Sequence, residues 1–184
     1  MSIVAKEKMS ADEFLVWAEA QEGRWELEEG APVAMSPERI AHGRTKGAVF
    51  RALGDAIARA GAPCEALPDG ASVRIAKGTI FGPDALVNCG PILPGNEIEA
   101  TNPIIVVEVL SPNTAARDHG AKLAGYFSLP SVMHYLILDP ERRVLIHHKR
   151  GQGDVIETRI LTEGVVRLDP PGLEAPVAAM FAAE

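Results

Sequence analysis

The chain is poor in cysteine, with only Cys64 and Cys89 among its 184 residues and no metal-motif spacing between them. The expectation is two free thiols in a reducing cytoplasm and no structural disulfide. Positive charge is not in surplus either. A formal net charge of −7 opposes non-specific attraction to a polyanion, so any nucleic-acid contact must come from a local basic patch. No apolar run approaches the length that crosses a bilayer, which argues against a membrane partner. Met1 to Ser10 carries charges and no apolar core, so no secretory signal is expected. Internal repeats, low-complexity tracts and long linkers are absent. Several motif-borne chemistries are missing as well. Gly43-Arg-Thr-Lys-Gly47 lacks the residue order of a phosphate loop, and there is no G-x-S-x-G elbow or zincin histidine pair. No helix-turn-helix, zinc finger or aromatic RNA-binding platform is present.

What is there is an ordinary globular composition, 47% hydrophobic, at a length that suits residues 1–184 as one domain with a full core. Ser10-Ala-Asp-Glu13 has capping-box spacing and predicts a helix from about Ala11 to Glu22, stopped by Gly23. A hairpin follows around Glu28-Glu29-Gly30. Ser36-Pro37 then reads as the N-cap and first residue of a second helix, running to about Ala60 and stopped by Gly61. Its buried stripe is Val49, Phe50, Leu53 and Ile57. Cys64 to Lys77 reads as irregular chain with one short strand near Val73. A strand follows Pro83-Asp84, and a third helix spans about Ala115 to Ser128. Strands are predicted at Val132 to Leu138, Val144 to His148, Asp154 to Leu161 and Val165 to Leu168, with a short final helix near Pro176 to Phe181. The mixture predicts an α/β fold with a central mixed β-sheet flanked by helices.

The chemistry centres on Pro103-Ile-Ile-Val-Val-Glu-Val-Leu-Ser-Pro112, an apolar strand with one carboxylate, Glu108, in its middle. A carboxylate taken out of water needs a cation or donors. Asp84 opens a second strand, and Asp118, Lys122 and Tyr126 share one stripe of the third helix. Two carboxylates with a lysine beside them suit Mg²⁺, which takes hard oxygen ligands, and suit phosphodiester hydrolysis.

The ordered series Arg24-Trp25-Glu26-Leu27-x-x-Gly30, Met35-Ser36-Pro37 with His42, Pro83-Asp84, Val107-Glu108-Val-Leu-Ser-Pro112, Asp118-x-x-x-Lys122-x-x-x-Tyr126 and His134-Tyr135-Leu-Ile-Leu-Asp139-Pro140 resembles the Uma2 family. That family is a restriction-endonuclease group within the PD-(D/E)XK superfamily, and the likeness runs from about Ser10 to Arg150. The resemblance implies a restriction-endonuclease-like fold and an endonuclease that uses Mg²⁺, with Mn²⁺ as a substitute, on DNA. It implies Asp84 and Glu108 as metal ligands. The superfamily places a lysine two residues after the glutamate; here that residue is Leu110, and Lys122 on the helix stands in for it. His42, Asp118 and Tyr126 are supporting candidates. Arg44 and Lys46 on the second helix, and Arg142, Arg143, Lys149 and Arg150 on the late hairpin, are candidate phosphate contacts. Cutting both strands would favour a homodimer.

Plainer readings compete with these. Asp84 alone starts a strand, Glu108 alone pairs with Lys122, and Asp118 with Lys122 is an i, i+4 surface pair. His42 suits a half-buried structural histidine. His147 and His148 face opposite sides of a strand and read as solvated. The competing function is a non-catalytic DNA- or protein-binding module on the same fold, which the acidic net charge favours.

Overall fold

The computed structural model describes residues 8–110 and 119–182. Helix α1 (Ala11–Glu19) opens on the predicted capping box: the Ser10 hydroxyl accepts from the Glu13 N–H, and the Glu13 carboxylate takes the Ser10 N–H at 2.8 Å. Strands β1 (Trp25–Glu28) and β2 (Ala31–Ala34) form the expected hairpin, with Glu29 and Gly30 both at positive φ in its two-residue turn.

Helix α2 (Ile40–Ala60) ends as predicted, on Gly61 in the left-handed conformation at φ 59°. Its start corrects the sequence reading. The N-cap is Arg39, not Ser36, and Pro37 lies outside the helix. The segment before Ile40 is not helical, with Arg39 itself extended, and Glu38 there makes ion pairs with Arg24 and Lys46. Tertiary charge pairing overrides a strong local start signal.

The remaining elements are β3 (Cys64–Pro68), β4 (Val73–Ala76), β5 (Thr79–Phe81), β6 (Ala85–Cys89), β7 (Pro103–Val109), α3 (His119–Ser128), β8 (His134–Asp139), β9 (Val144–Arg150), β10 (Ile156–Leu161), β11 (Val165–Leu168), β12 (Leu173–Pro176) and a 3-10 turn at Val177–Met180. Six strands make the central sheet, in the order β10-β9-β8-β7-β6-β3. Every neighbouring pair is antiparallel except β7 and β8, which run parallel, with α3 in the connection between them. A smaller sheet, β2-β1-β5-β4, carries the first hairpin, and β11 pairs with β12.

On one face of the central sheet, α2 and the β12 region cover Val87, Ile105, Val107, Leu136 and Leu138 with Val49 and Leu53; Phe50 and Ile57 of the predicted stripe are half-buried. On the other face α3 covers Leu86, Val106, Tyr135 and Ile137. All six residues of β8 are buried, as a strand covered on both faces requires. Among the described residues no helix is long and apolar enough to cross a membrane.

The cysteine expectation is corrected. Strand β3, read from sequence as irregular chain, pairs with β6 in a register that sets Cys64 opposite Cys89, with Cα atoms 4.0 Å apart, and the two form a disulfide. A partnership between strands 25 residues apart leaves no mark in local spacing.

Candidate active site

The site begins where β6 and β7 lie side by side. Asp84 precedes β6, and its N–H donates to the Val107 carbonyl at 2.9 Å. The ladder pairs Ala85 with Val107, the neighbours of the two acids, and Asp84 and Glu108 both line one cavity. The Val109 N–H donates to Asp84 Oδ2 at 2.7 Å. The two predicted carboxylates therefore come together on neighbouring strands.

Helix α3 brings Lys122 and Tyr126 onto Glu108. Both donate to its Oε1, each at 2.8 Å. Lys122 Nζ also lies 2.9 Å from Glu26 Oε1 and 5.4 Å above the Phe81 ring. The helix packs tightly here, since a Cβ built on Gly125 would stand 2.7 Å from the Phe81 ring. The Phe81 ring meets Tyr126 edge-on at a centroid distance of 5.4 Å, and Tyr126 meets Tyr135 in a tilted contact at 5.1 Å.

Helix α2 supplies the other side of Asp84. Lys46 Nζ lies 2.9 Å from Asp84 Oδ1 and 2.5 Å from Glu38 Oε1, and it also pairs with Asp69 in the turn after β3. Arg24 bridges Glu38 and Asp69 from outside. His42 Nε2 lies 2.7 Å from the Val109 carbonyl and 3.5 Å from Asp84 Oδ2. Both are acceptors, so Nε2 carries a proton. His42 Nδ1 is buried with no hydrogen-bond partner among the described residues, 3.5 Å from Glu38 Oε2.

These contacts set the charge states. Burial pushes the Glu108 carboxyl up; the Lys122 ammonium opposes this, Asp84 and Glu26 add to it, and the result is about 7. For Asp84, burial is outweighed by His42, Lys46 and the Val109 N–H, which hold it below the usual carboxylate range. Burial opposes the charge on Lys122, Lys46 and His42, but their acidic partners raise all three.

Glu26, Glu38, His42, Asp84, Glu108 and Lys122 line one cavity of about 770 Å³. Tyr135 also lines it, with a hydroxyl that is buried and lacks a partner among the described residues. Among the described residues, the carboxylates of Asp84 and Glu108 both line this cavity, and Glu38, Asp69 and Asp84 each bring one oxygen within 4.8 Å of the others. Such hard oxygen donors fit a divalent cation.

Of the remaining candidates, Asp118 lies outside the described residues. Arg44 is exposed on α2. Lys46 is a correction: it is buried in the acid cluster, not on a surface patch. Arg142 pairs with Asp139, and Arg143 donates to the Ala182 carbonyl beside Phe181. Arg150 is a second correction, because its guanidinium donates to the carbonyls of Phe127, Leu129 and Val132 and is spent on holding the end of α3. Neither these three arginines nor Lys149 lines the cavity. His147 is a third correction: it is buried, with Nε2 2.9 Å from His134 Nδ1, while His148 on the opposite face meets Thr158. Sequence reasoning missed Glu26, Glu38 and Asp69 as members of the site. Glu26 left one signal, a carboxylate between Trp25 and Leu27 in a short strand.

The family model described as Uma2, "Putative restriction endonuclease", matches residues 11–180. An uncharacterized protein of Synechocystis sp. is 27% identical over 176 residues, covering 95% of this chain and 92% of that protein. The crystal structure of a "putative nuclease belonging to DUF820" from Anabaena variabilis superposes with a TM-score of 0.71 at 16% identity, covering 94% of this chain and 97% of that one.

Proposed function

The chain belongs to the Uma2 family and has a restriction-endonuclease-like α/β fold, and on that premise we propose that it is a divalent-metal-dependent nuclease that hydrolyses phosphodiester bonds of DNA. Asp84 and Glu108 would hold the ion, Mg²⁺ or Mn²⁺. Once bound, that ion polarises a phosphoryl oxygen and acidifies a water. The chain's own residues do the rest. Lys122 fixes Glu108 and sets a positive charge beside it, where negative charge develops on phosphorus-bound oxygen. Tyr126 holds the same carboxylate oxygen from within the core. His42 pins the Val109 carbonyl, and with Lys46 it keeps Asp84 ionised. Arg39, exposed and lining the cavity, is placed to meet a phosphate. One cavity per chain cuts one strand at a time, so cutting both strands of a duplex calls for two copies.

The observation that carries this reading is the convergence of Asp84, Glu108 and Lys122 on one cavity. It is tested by Mn²⁺ calorimetry and plasmid nicking, with RNA of matched length alongside. Wild type should bind Mn²⁺ and nick, and Glu108→Ala should abolish both. A wild-type protein that does neither with any divalent metal overturns the reading. A second reading, the non-catalytic DNA- or protein-binding module, draws on the internal partners that both Asp84 oxygens already have. It expects nucleic-acid or protein association with no carboxylate-dependent metal uptake.

A further inference from the structure

Strand β10 ends the central sheet, and its outer edge pairs with no strand among the described residues. It runs in unbroken register with β9 from Ile156 to Leu161, with no bulge and no proline. A bare, regular edge of this kind invites another strand. The opposite edge, β3, is handled differently: it ends in Pro68, and the Leu93 N–H donates to Glu65 from the loop beside it. Beside and along β10, Val155 is 57% exposed, Ile156 37% and Ile160 71%. Exposed Glu157 and Arg159 sit between the two isoleucines and make no ion pair with the described residues.

We propose that β10 is the homodimer interface of this protein, pairing antiparallel with β10 of a second copy about a two-fold axis through Thr158. The order Ile156-Glu157-Thr158-Arg159-Ile160 is self-complementary about Thr158, with the isoleucines alike and the two charges opposite. In the antiparallel register centred on Thr158, Ile156 meets Ile160 of the second copy and Glu157 meets Arg159, each twice by symmetry. Directly opposite apolar pairs and opposite-charge pairs both favour a sheet. The register is also selected against its neighbours. With each side chain kept on its own face, the nearest alternative registers are centred at Glu157 or Arg159. The first sets Glu157 against Glu157, and the second sets Arg159 against Arg159. The product is one twelve-stranded sheet across two chains, since each contributes a six-stranded sheet.

The test is sedimentation equilibrium over a concentration series on the full chain, with circular dichroism melts to show that each variant is folded. Wild type should show a mass twice that of the chain. Arg159→Glu places like charges opposite each other twice and should weaken the dimer by about tenfold or more. The double exchange Glu157→Arg with Arg159→Glu restores opposite charges in the same register and should restore the dimer. Thr158→Cys sits on the axis and should form a disulfide between copies under mild oxidation. A wild-type protein that is monomeric throughout the series overturns the proposal. So does a folded Arg159→Glu variant as dimeric as wild type, or a double exchange as weak as the single one.

Discussion

Lys46 holds its ammonium 2.9 Å from Asp84 Oδ1, inside the molecule, at a position that by sequence looks like a surface cation. A buried charge pair loses most when one partner is removed, because the other charge is left unmatched. Lys46→Met strips a cation from Asp84, Glu38 and Asp69 together. It should cost about 3–5 kcal/mol in urea unfolding near neutral pH, with Lys46→Arg milder. Asp84 is a depressed carboxyl, so its contribution to stability is present above the unfolded-state value and is lost as pH falls through the folded one. Without Lys46 that folded value rises, and acid unfolding should begin at a higher pH than in wild type.

Glu108 has the opposite sign. Its carboxyl is raised to about 7, so between the ordinary value of 4.5 and 7 the folded chain holds a proton that the unfolded chain has lost. Stability should therefore drain away as pH rises across that window. Glu108→Gln keeps the shape and removes the charge, and Lys122 retains Glu26 as a partner. The variant should be more stable than wild type by about 1–3 kcal/mol above pH ~7, with the gap narrowing towards pH ~5, and it should not nick DNA. A destabilised variant would mean that the Lys122–Glu108 pair holds the fold more than burial strains it.

How much of this was legible beforehand follows from the range of each interaction. Period and punctuation are local, so the capping box of α1, the Gly61 stop and the alternation of strands and helices could be read directly. Glu108 could be read because a carboxylate in an apolar strand has few places to go. Helix spacing left Lys122 open between a surface pair and a site residue, and it rested mainly on the resemblance to the Uma2 family; in the structure Lys122 and Tyr126 both donate to Glu108 Oε1. Glu26, Glu38 and Asp69 could not, since each joins the site through packing between elements far apart in the chain. The same holds for Cys64 with Cys89 and for His134 with His147, which meet through strand register alone. Basic residues were over-read as phosphate contacts. Sequence shows the charge of Lys46 and Arg150 but not which way each one turns.

The buried histidine pair gives a stability signal with a definite direction. His134 Nε2 lies 2.9 Å from the Pro170 carbonyl, so it donates there, and His134 Nδ1 must accept from His147 Nε2. Burial lowers both rings to about 4. The unfolded chain protonates them from about 6.5 downward while the folded one does not, so stability should fall as pH drops from about 6.5 towards 4. Thermal melts across that range should show a shallower pH dependence in His147→Phe than in wild type. Equal slopes would mean that the pair does not stay neutral.

Arg39 and Arg150 should separate binding from folding. Arg150 satisfies three backbone carbonyls around the end of α3 and lies 5.3 Å over the Phe127 ring. Removing it leaves those carbonyls without their charged donor, at about 1.5–3 kcal/mol for a charge-assisted bond of this kind. Arg150→Ala should therefore lower the melting temperature clearly. Its affinity for a DNA duplex, measured where the variant is still folded, should keep the wild-type salt dependence. Arg39 lines the cavity and is exposed, so Arg39→Ala should barely move the melt. If Arg39 meets a phosphate, its loss should weaken binding for every duplex sequence alike and reduce the slope of log K against log salt by about 0.9. The two variants thus make opposite predictions on the same two instruments. An Arg39→Ala chain with unchanged salt dependence would move the nucleic-acid path away from this mouth of the cavity.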